Sequence, residues 1–300
     1  VASAIASRAG SLTQSPFGTA RITALLRNLP VHAAVIAIAV LWMTPTFGLL
    51  ISSFRPPHLV MSSGWWTALQ TPFVFTLDNY ARVLSTNNMA QSFANSLFVA
   101  IPATILPIVV AALAAYAFAW MEFPGRDALF LVVVGLLVVP LQVTLIPVLQ
   151  LFTALGLTGT FLGIWLAHTG YGLPFAIYLL RSFFASLPSE MFEAAEIDGA
   201  SPIVVFVRLV LPTSVPALAS LAIFQFLWVW NDLLVALVFL GGSPSVAPMT
   251  VTVSNLVNSL GQDWHLLTAA AFVSMIVPLL IFFSLQRYFV RGIQDGAVKG

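Results

Sequence analysis

Six runs of about twenty or more predominantly apolar residues decide what this chain can fold into. They cover 31–51, 92–120, 128–152, 161–180, 213–240 and 265–289. A helix rises about 1.5 Å per residue and the hydrocarbon of a bilayer is about 30 Å thick, so each run is long enough to cross it. Inside lipid every backbone N–H and C=O must be paired within the protein, which leaves helices or closed barrels. Barrel strands alternate in segments of about ten residues, and no segment here does. The expected fold class is therefore all-α, a polytopic membrane protein with six transmembrane helices. Composition agrees: of 300 residues, 60% are hydrophobic and 7% charged, against about 25% charged in soluble domains.

Charge narrows the partners. Lys+Arg number 11 and Asp+Glu 10, a net charge of +1, too sparse for the basic stripe that nucleic acid requires, so no nucleic acid is expected. The absence of cysteine removes disulfides, thiolate nucleophiles and cysteine metal sites. No G-x-x-x-x-G-K-[ST], H-E-x-x-H or G-x-S-x-G occurs, and the histidines His32, His58, His168 and His265 are scattered. Catalysis within this chain, metal-dependent or otherwise, is not expected.

The first run follows Arg8, Arg21 and Arg27. It is longer than the roughly 7–15 residues of a signal-peptide core, and no small-residue cleavage site follows before Phe54-Arg55-Pro56-Pro57, so it reads as a retained anchor. The positive-inside rule then sets orientation. A cytoplasmic N-terminus puts Arg8, Arg21, Arg27, Arg126, Arg181, Arg208, Arg287, Arg291 and Lys299 inside, leaving Arg55 and Arg82 outside. The expected organisation is a cytoplasmic segment over 1–30, a six-span domain over 31–289 and a cytoplasmic tail over 290–300. Within the domain lie an external stretch, 52–91, and a cytoplasmic loop, 181–212.

The external stretch holds Trp65, Trp66 and Thr76-Leu77-Asp78-Asn79-Tyr80. It either caps the bundle or touches an external partner, or it is a surface loop with interfacial tryptophans. Prolines 102, 107, 140, 147, 174, 216 and 278 fall within the spans and predict kinks. Ala111, Ala112, Ala114, Ala115, Ala117 and Ala119 predict a close helix-packing face.

The cytoplasmic loop carries the densest signal. Ser189 is placed to cap a short helix, Glu190 suits its positive end, and Gly199 suits a left-handed stop. A second helix is expected from Ser201-Pro202 to Pro212. The first helix is too polar for lipid and too short to stand alone, so it must dock on something. Met191 and Phe192 offer apolar anchors, Ala194 and Ala195 close approach, and Glu193, Glu196 and Asp198 charge.

Glu193-Ala194-Ala195, three residues, Gly199, nine residues, Leu209, one residue, Leu211-Pro212 resembles the EAA loop of binding-protein-dependent ABC importer permeases. Leu209 stands where that family more often has Ile. Thr76-Leu77-Asp78-Asn79-Tyr80, Asn95-Ser96, Phe123-Pro124-Gly125-Arg126 and the tail Gln286-Arg287-Tyr288-Phe289-Val290-Arg291-Gly292 through Gly296-Ala297-Val298-Lys299-Gly300 are similar to the carbohydrate subgroup, the maltose and alpha-glucoside types.

The resemblance implies a type I importer permease fold in the inner membrane, with both termini cytoplasmic. It implies that Glu190, Met191, Phe192, Glu193, Ala194, Ala195, Asp198 and Gly199 form a coupling helix seated on an ATP-hydrolysing subunit. A second contact would come from Gly296, Val298 and Lys299, unless that tail simply frays. The partners implied are a second related permease, two ATP-binding subunits, an extracytoplasmic solute-binding protein, membrane lipid and a sugar such as maltose or trehalose. No cofactor is expected on this chain; ATP and Mg would sit on the partner ATPase.

Asp232 is the acid deepest in a span, where insertion costs roughly 2.5–3.5 kcal/mol, so it should face a cavity or a partner. Trp228, Trp230, Asn231 and Asp232 are candidates for a sugar path, with rings for the pyranose faces and polar groups for the hydroxyls. The rival readings are pairing of Asp232 across a subunit interface, an ion-coupled secondary transporter using Asp232, and an intramembrane enzyme.

Overall fold

The computed structural model describes residues 17–85, 88–256 and 263–297. Every regular element among them is helical. In chain order these are α1 (Phe17–Ser53), α2 (Pro57–Ser62), a 3-10 turn (Trp65–Leu69), α3 (Asp78–Ser85), α4 (Met89–Trp120), α5 (Arg126–Leu136), α6 (Leu141–Ala154) and α7 (Phe161–Phe184). There follow α8 (Ser189–Ile197), α9 (Pro202–Val205), a π-turn (Phe206–Val210), α10 (Leu211–Thr213), α11 (Val215–Trp230), α12 (Leu234–Leu240), α13 (Met249–Leu256) and α14 (Trp264–Ala297).

The centre of the bundle is the pair α4 and α7. Ala100, Ala103, Ala111, Ala112 and Ala115 of α4 are buried, and Gly163, Ala167, Gly172 and Ala176 of α7 are buried too. Small residues on both sides let the backbones approach, which is what holds helices together where lipid removes the hydrophobic drive. Indole N–H groups fasten the pair at both ends. Trp165 donates to the Phe98 carbonyl at 3.0 Å and Trp120 to the Phe184 carbonyl at 2.9 Å.

Two of the six expected runs, 128–152 and 213–240, are broken in the structure. Leu29–Ser53, Met89–Trp120 and Trp264–Ser284 are unbroken apolar helices long enough to cross. The run 128–152 is instead α5 and α6, bent by 103°, and α11 is bent by 75° from the helical segment Pro202–Thr213. The first break follows from Pro140, which disfavours helical backbone at the residue before it; the chain passes through i→i+3 turns at Val138 and Val139. The run 213–240 also stops at Trp230 and restarts at Leu234, because Asp232 accepts the N–H groups of Val235 at 3.2 Å and Ala236 at 2.9 Å. α7 has 24 residues, about 36 Å of helix, but His168, Tyr171 and its glycines dilute its hydropathy.

The stretch 52–85 folds back on the end of α1. Asn79 donates its amide to the Ser53 and Arg55 carbonyls at 2.9 and 2.8 Å, and the Tyr80 hydroxyl meets Ser53 Oγ at 2.7 Å. Thr76 N–H donates to the Phe54 carbonyl at 2.7 Å. Arg55, 2% exposed, donates to the Ser63 and Gly64 carbonyls and to Ser63 Oγ and Thr67 Oγ1. Those partners are neutral, and burial pulls the guanidinium pKa below its ordinary value. Of the two expected readings the cap is the one built, although Trp66 stays exposed.

Candidate coupling surface and its membrane-embedded counterpart

α8 is defined by its two ends. Pro188, not Ser189, occupies the N-cap, and no side chain caps the helix. Proline's missing N–H costs nothing at a helix start, where no intrahelical acceptor exists. At the other end Gly199 takes φ +68°, its N–H donates to the Glu196 carbonyl at 2.9 Å, and the Ala200 N–H donates to the Ala195 carbonyl at 2.9 Å. This pair of bonds is the Schellman stop, and a left-handed residue is what it needs.

One face of α8 is fixed to the bundle. The Phe192 ring stacks on Trp120 with centroids 3.5 Å apart and planes at 16°. Leu187, Ala195 and Ala200 pack into the same apolar cluster. The opposite face presents Glu190, Glu193, Ala194 and Ile197 to solvent, at the i, i+3, i+4, i+7 spacing of a single stripe. Ile197 is 87% exposed. Met191 is half-buried, and Glu196, Asp198 and Gly199 are exposed. Sequence reasoning placed Phe192 toward a partner, whereas its ring is used internally; it missed Ile197, whose signal was the spacing shared with Glu190, Glu193 and Ala194.

Beyond α8, Ser201 sits at the N-cap position before Pro202, as expected, without a side-chain bond. The expected single helix to Pro212 instead widens into the π-turn, where Phe206 packs on Tyr116 at 5.3 Å between centroids. Of the tail residues singled out, Gly296 lies at the end of α14; Val298 and Lys299 lie outside the described residues.

At the other end of α4 a buried polar junction forms. The Asn95 amide donates to the Ser245 and Ala247 carbonyls at 3.0 and 3.1 Å, Ser96 Oγ accepts the Met249 N–H at 2.7 Å, and Ser92 Oγ meets Thr252 Oγ1 at 2.7 Å. Thr250 Oγ1 donates to the Asp232 carbonyl at 2.6 Å. His168 of α7 is fully buried, its Nε2 3.7 Å from Asp232 Oδ2. Asp232 thus joins the α11–α12 break to α13 and α7.

The four residues proposed for a sugar path separate. Trp230 is buried, stacks on Phe226 and donates to the Ser274 carbonyl at 3.0 Å, packing α11 against α14. Asn231 is exposed and donates back to the Leu227 carbonyl at 2.7 Å. Asp232 caps α12. Trp228 lines an open cleft of about 430 Å³ with Tyr171, Thr144 and the 103° bend, and its ring meets His168 edge-on at 5.2 Å. Among the described residues no three His, Asp or Glu side chains converge as a metal site would need.

Residues 107–295 match the family described as binding-protein-dependent transport system inner membrane component. An osmoprotective compounds uptake permease of Synechocystis sp. is 59% identical, over 94% of this chain and 95% of that protein. An alpha-glucoside transport system permease of Rhizobium meliloti is 43% identical, over 90% of this chain and 97% of that one. The crystal structure of a bacterial ABC transporter that imports the acidic polysaccharide alginate contains a chain of the same fold, with a TM-score of 0.73 and 21% identity over 92% of this chain and 100% of its own.

Proposed function

The chain belongs to the binding-protein-dependent transport system inner membrane component family, and on that premise we propose that it forms half of the translocation path of an ATP-driven sugar importer. It is a multi-pass inner-membrane permease with the type I importer fold. In this reading both termini are cytoplasmic. A related permease supplies the other half of the path, two ATP-binding subunits dock beneath, and an extracytoplasmic binding protein delivers the substrate. ATP and Mg belong to the ATPase subunits. The substrate is an alpha-glucoside of the maltose or trehalose type; relatives named for alpha-glucosides, trehalose and osmoprotective compounds support it.

The observation that carries the reading is the two-faced α8. Phe192 on Trp120 ties its inner face to the end of α4, while Glu190, Glu193, Ala194 and Ile197 lie free on the outer face. Closure of an ATPase dimer would push that outer face, and the stacked rings would pass the push to α4. The close α4–α7 pair carries it into the membrane as rigid-body motion. Family membership gives no support to an ion-coupled transporter, and the Asp232 carboxylate is already engaged in capping α12.

The test is uptake by the complete complex in proteoliposomes, with ATP hydrolysis measured in parallel. Glu193→Ala is expected to keep the protein inserted and assembled while uncoupling hydrolysis from uptake. Normal coupled uptake by this variant would reject the assignment.

A further inference from the structure

We infer that this subunit carries a sugar subsite of its own, an aromatic cleft between α7 and α11 with the Gln225 amide as its polar anchor. The inference rests on the sugar-import reading and extends it to residues that reading does not use. Gly172 is where it starts. A glycine inside a helix is destabilising relative to alanine, yet α7 keeps one where an added Cβ would lie 2.8 Å from both Nε2 and Oε1 of Gln225. Gly172 is therefore the space into which the Gln225 amide fits.

That amide is 5% exposed and donates from Nε2 to the Ala103 carbonyl at 3.2 Å, which holds the group in place. With Tyr171, Gly172, Phe175, Phe224 and Trp228 it lines a cleft of about 270 Å³. Tyr171 and Trp228 also line the neighbouring cleft of about 430 Å³, a size common among small-molecule sites, which run from about 300 to 1,000 Å³. The Thr144 proton goes to the Leu141 carbonyl at 2.7 Å, so the Tyr171 hydroxyl, 3.2 Å from Thr144 Oγ1, donates to it and keeps its own oxygen lone pairs to accept from a ligand.

An amide and a phenol on a surface facing hydrocarbon would be costly, which argues that this face is turned from lipid; in the proposed assembly it borders the path shared with the second permease. Its chemistry is four aromatic rings, one amide and no charge. A neutral pyranose matches: its C–H face lies on a ring, and its hydroxyls take the amide and the phenol. An acidic sugar does not match, because no cation among the described residues lines the cleft. His168, edge-on to Trp228 and close to Asp232, acts as a positioning residue for that ring.

The experiment uses the complete complex with its binding protein in proteoliposomes and ¹⁴C-trehalose and ¹⁴C-maltose as probes. Gln225→Leu and Gly172→Val are expected to cut uptake by about tenfold, the worth of a lost hydrogen bond or two, with the amount of assembled complex unchanged. Trp228→Tyr, which keeps a ring, is expected to retain most uptake.

If these single changes merely disturb packing, the pair Gly172→Ala with Gln225→Val, which removes the amide while the added methyl and the branched side chain take up most of its space, would restore uptake. That restoration would overturn the inference; continued low uptake by an assembled pair would support it. Unchanged uptake and an unchanged trehalose-to-maltose ratio in Gln225→Leu would also overturn it. Failure of the unaltered complex to import either sugar would instead overturn the sugar-import reading, and this subsite with it.

Discussion

The 245–252 segment is tied to the N-terminal end of α4 by buried hydrogen bonds, whereas α8 is tied to its C-terminal end by a stacked pair of rings, and the two joints allow different motions. Asn95, Ser96 and Ser92 each find a partner in the 245–252 segment. Hydrogen bonds between buried groups are directional, and leaving one unmade exposes the full cost of desolvation. That end has one geometry. Phe192 and Trp120 meet face to face over a broad, non-directional contact, which can slide or tilt without stranding a polar group. The α8 joint is the one built to move, while the Trp120 bond to Phe184 keeps that end of α4 on α7 and the junction near the α11–α12 break holds register.

Breaking the rigid end should have the largest effect on stability. Asn95→Leu strands the Ser245 and Ala247 carbonyls, and a loss of about 2–4 kcal/mol is expected, read as a lowered midpoint of thermal unfolding in detergent. A midpoint equal to that of the unaltered protein would show that the junction does not hold the bundle. Next comes the stacked joint. Phe192→Ala should cost about 1–3 kcal/mol, since the ring is only half-buried, but should lower uptake per ATP hydrolysed more than it lowers the amount of complex. If yield and coupling fall in proportion, the joint is merely structural.

A smaller stability effect is expected where α8 stops. Gly199→Ala forces an L-residue to φ +68°, at about 1–2 kcal/mol, and should loosen α8 first, visible as faster amide exchange over 189–200 than elsewhere. Glu193→Gln sharpens the comparison from the far side. Its side chain is exposed, so stability should move by less than about 0.5 kcal/mol while coupled uptake falls. A change in the unfolding midpoint without a change in uptake would reverse the roles given to the two faces.

What was legible in the sequence follows from how local each signal is. Apolar runs at 31–51, 92–120 and 265–289 announce helices because hydropathy is a local sum. The Schellman stop at Gly199 is legible because a left-handed position selects glycine within a few residues. The breaks near Pro140 and Asp232 are hidden in the same sums: both runs stay apolar through the break, and a capping aspartate and a buried charge have the same one-letter code. The inward turn of Phe192 needed Trp120, which is distant in sequence. Thr76-Leu77-Asp78-Asn79-Tyr80 and Asn95-Ser96 were visible as patterns without a reason. Their reason is tertiary, since Asn79, Tyr80, Asn95 and Ser96 satisfy backbone or side-chain groups on other elements.

The outer face of α8 can be probed without background because the chain contains no cysteine. Glu193→Cys and Ile197→Cys, each carried by the assembled complex and treated with a short cross-linker that joins the introduced thiol to a neighbouring lysine amine, should capture an ATP-binding subunit. Leu187→Cys, on the bundle side, should capture none. Capture from the bundle side with none from Glu193 or Ile197 would contradict the central claim that this helix is clamped by one face and driven through the other.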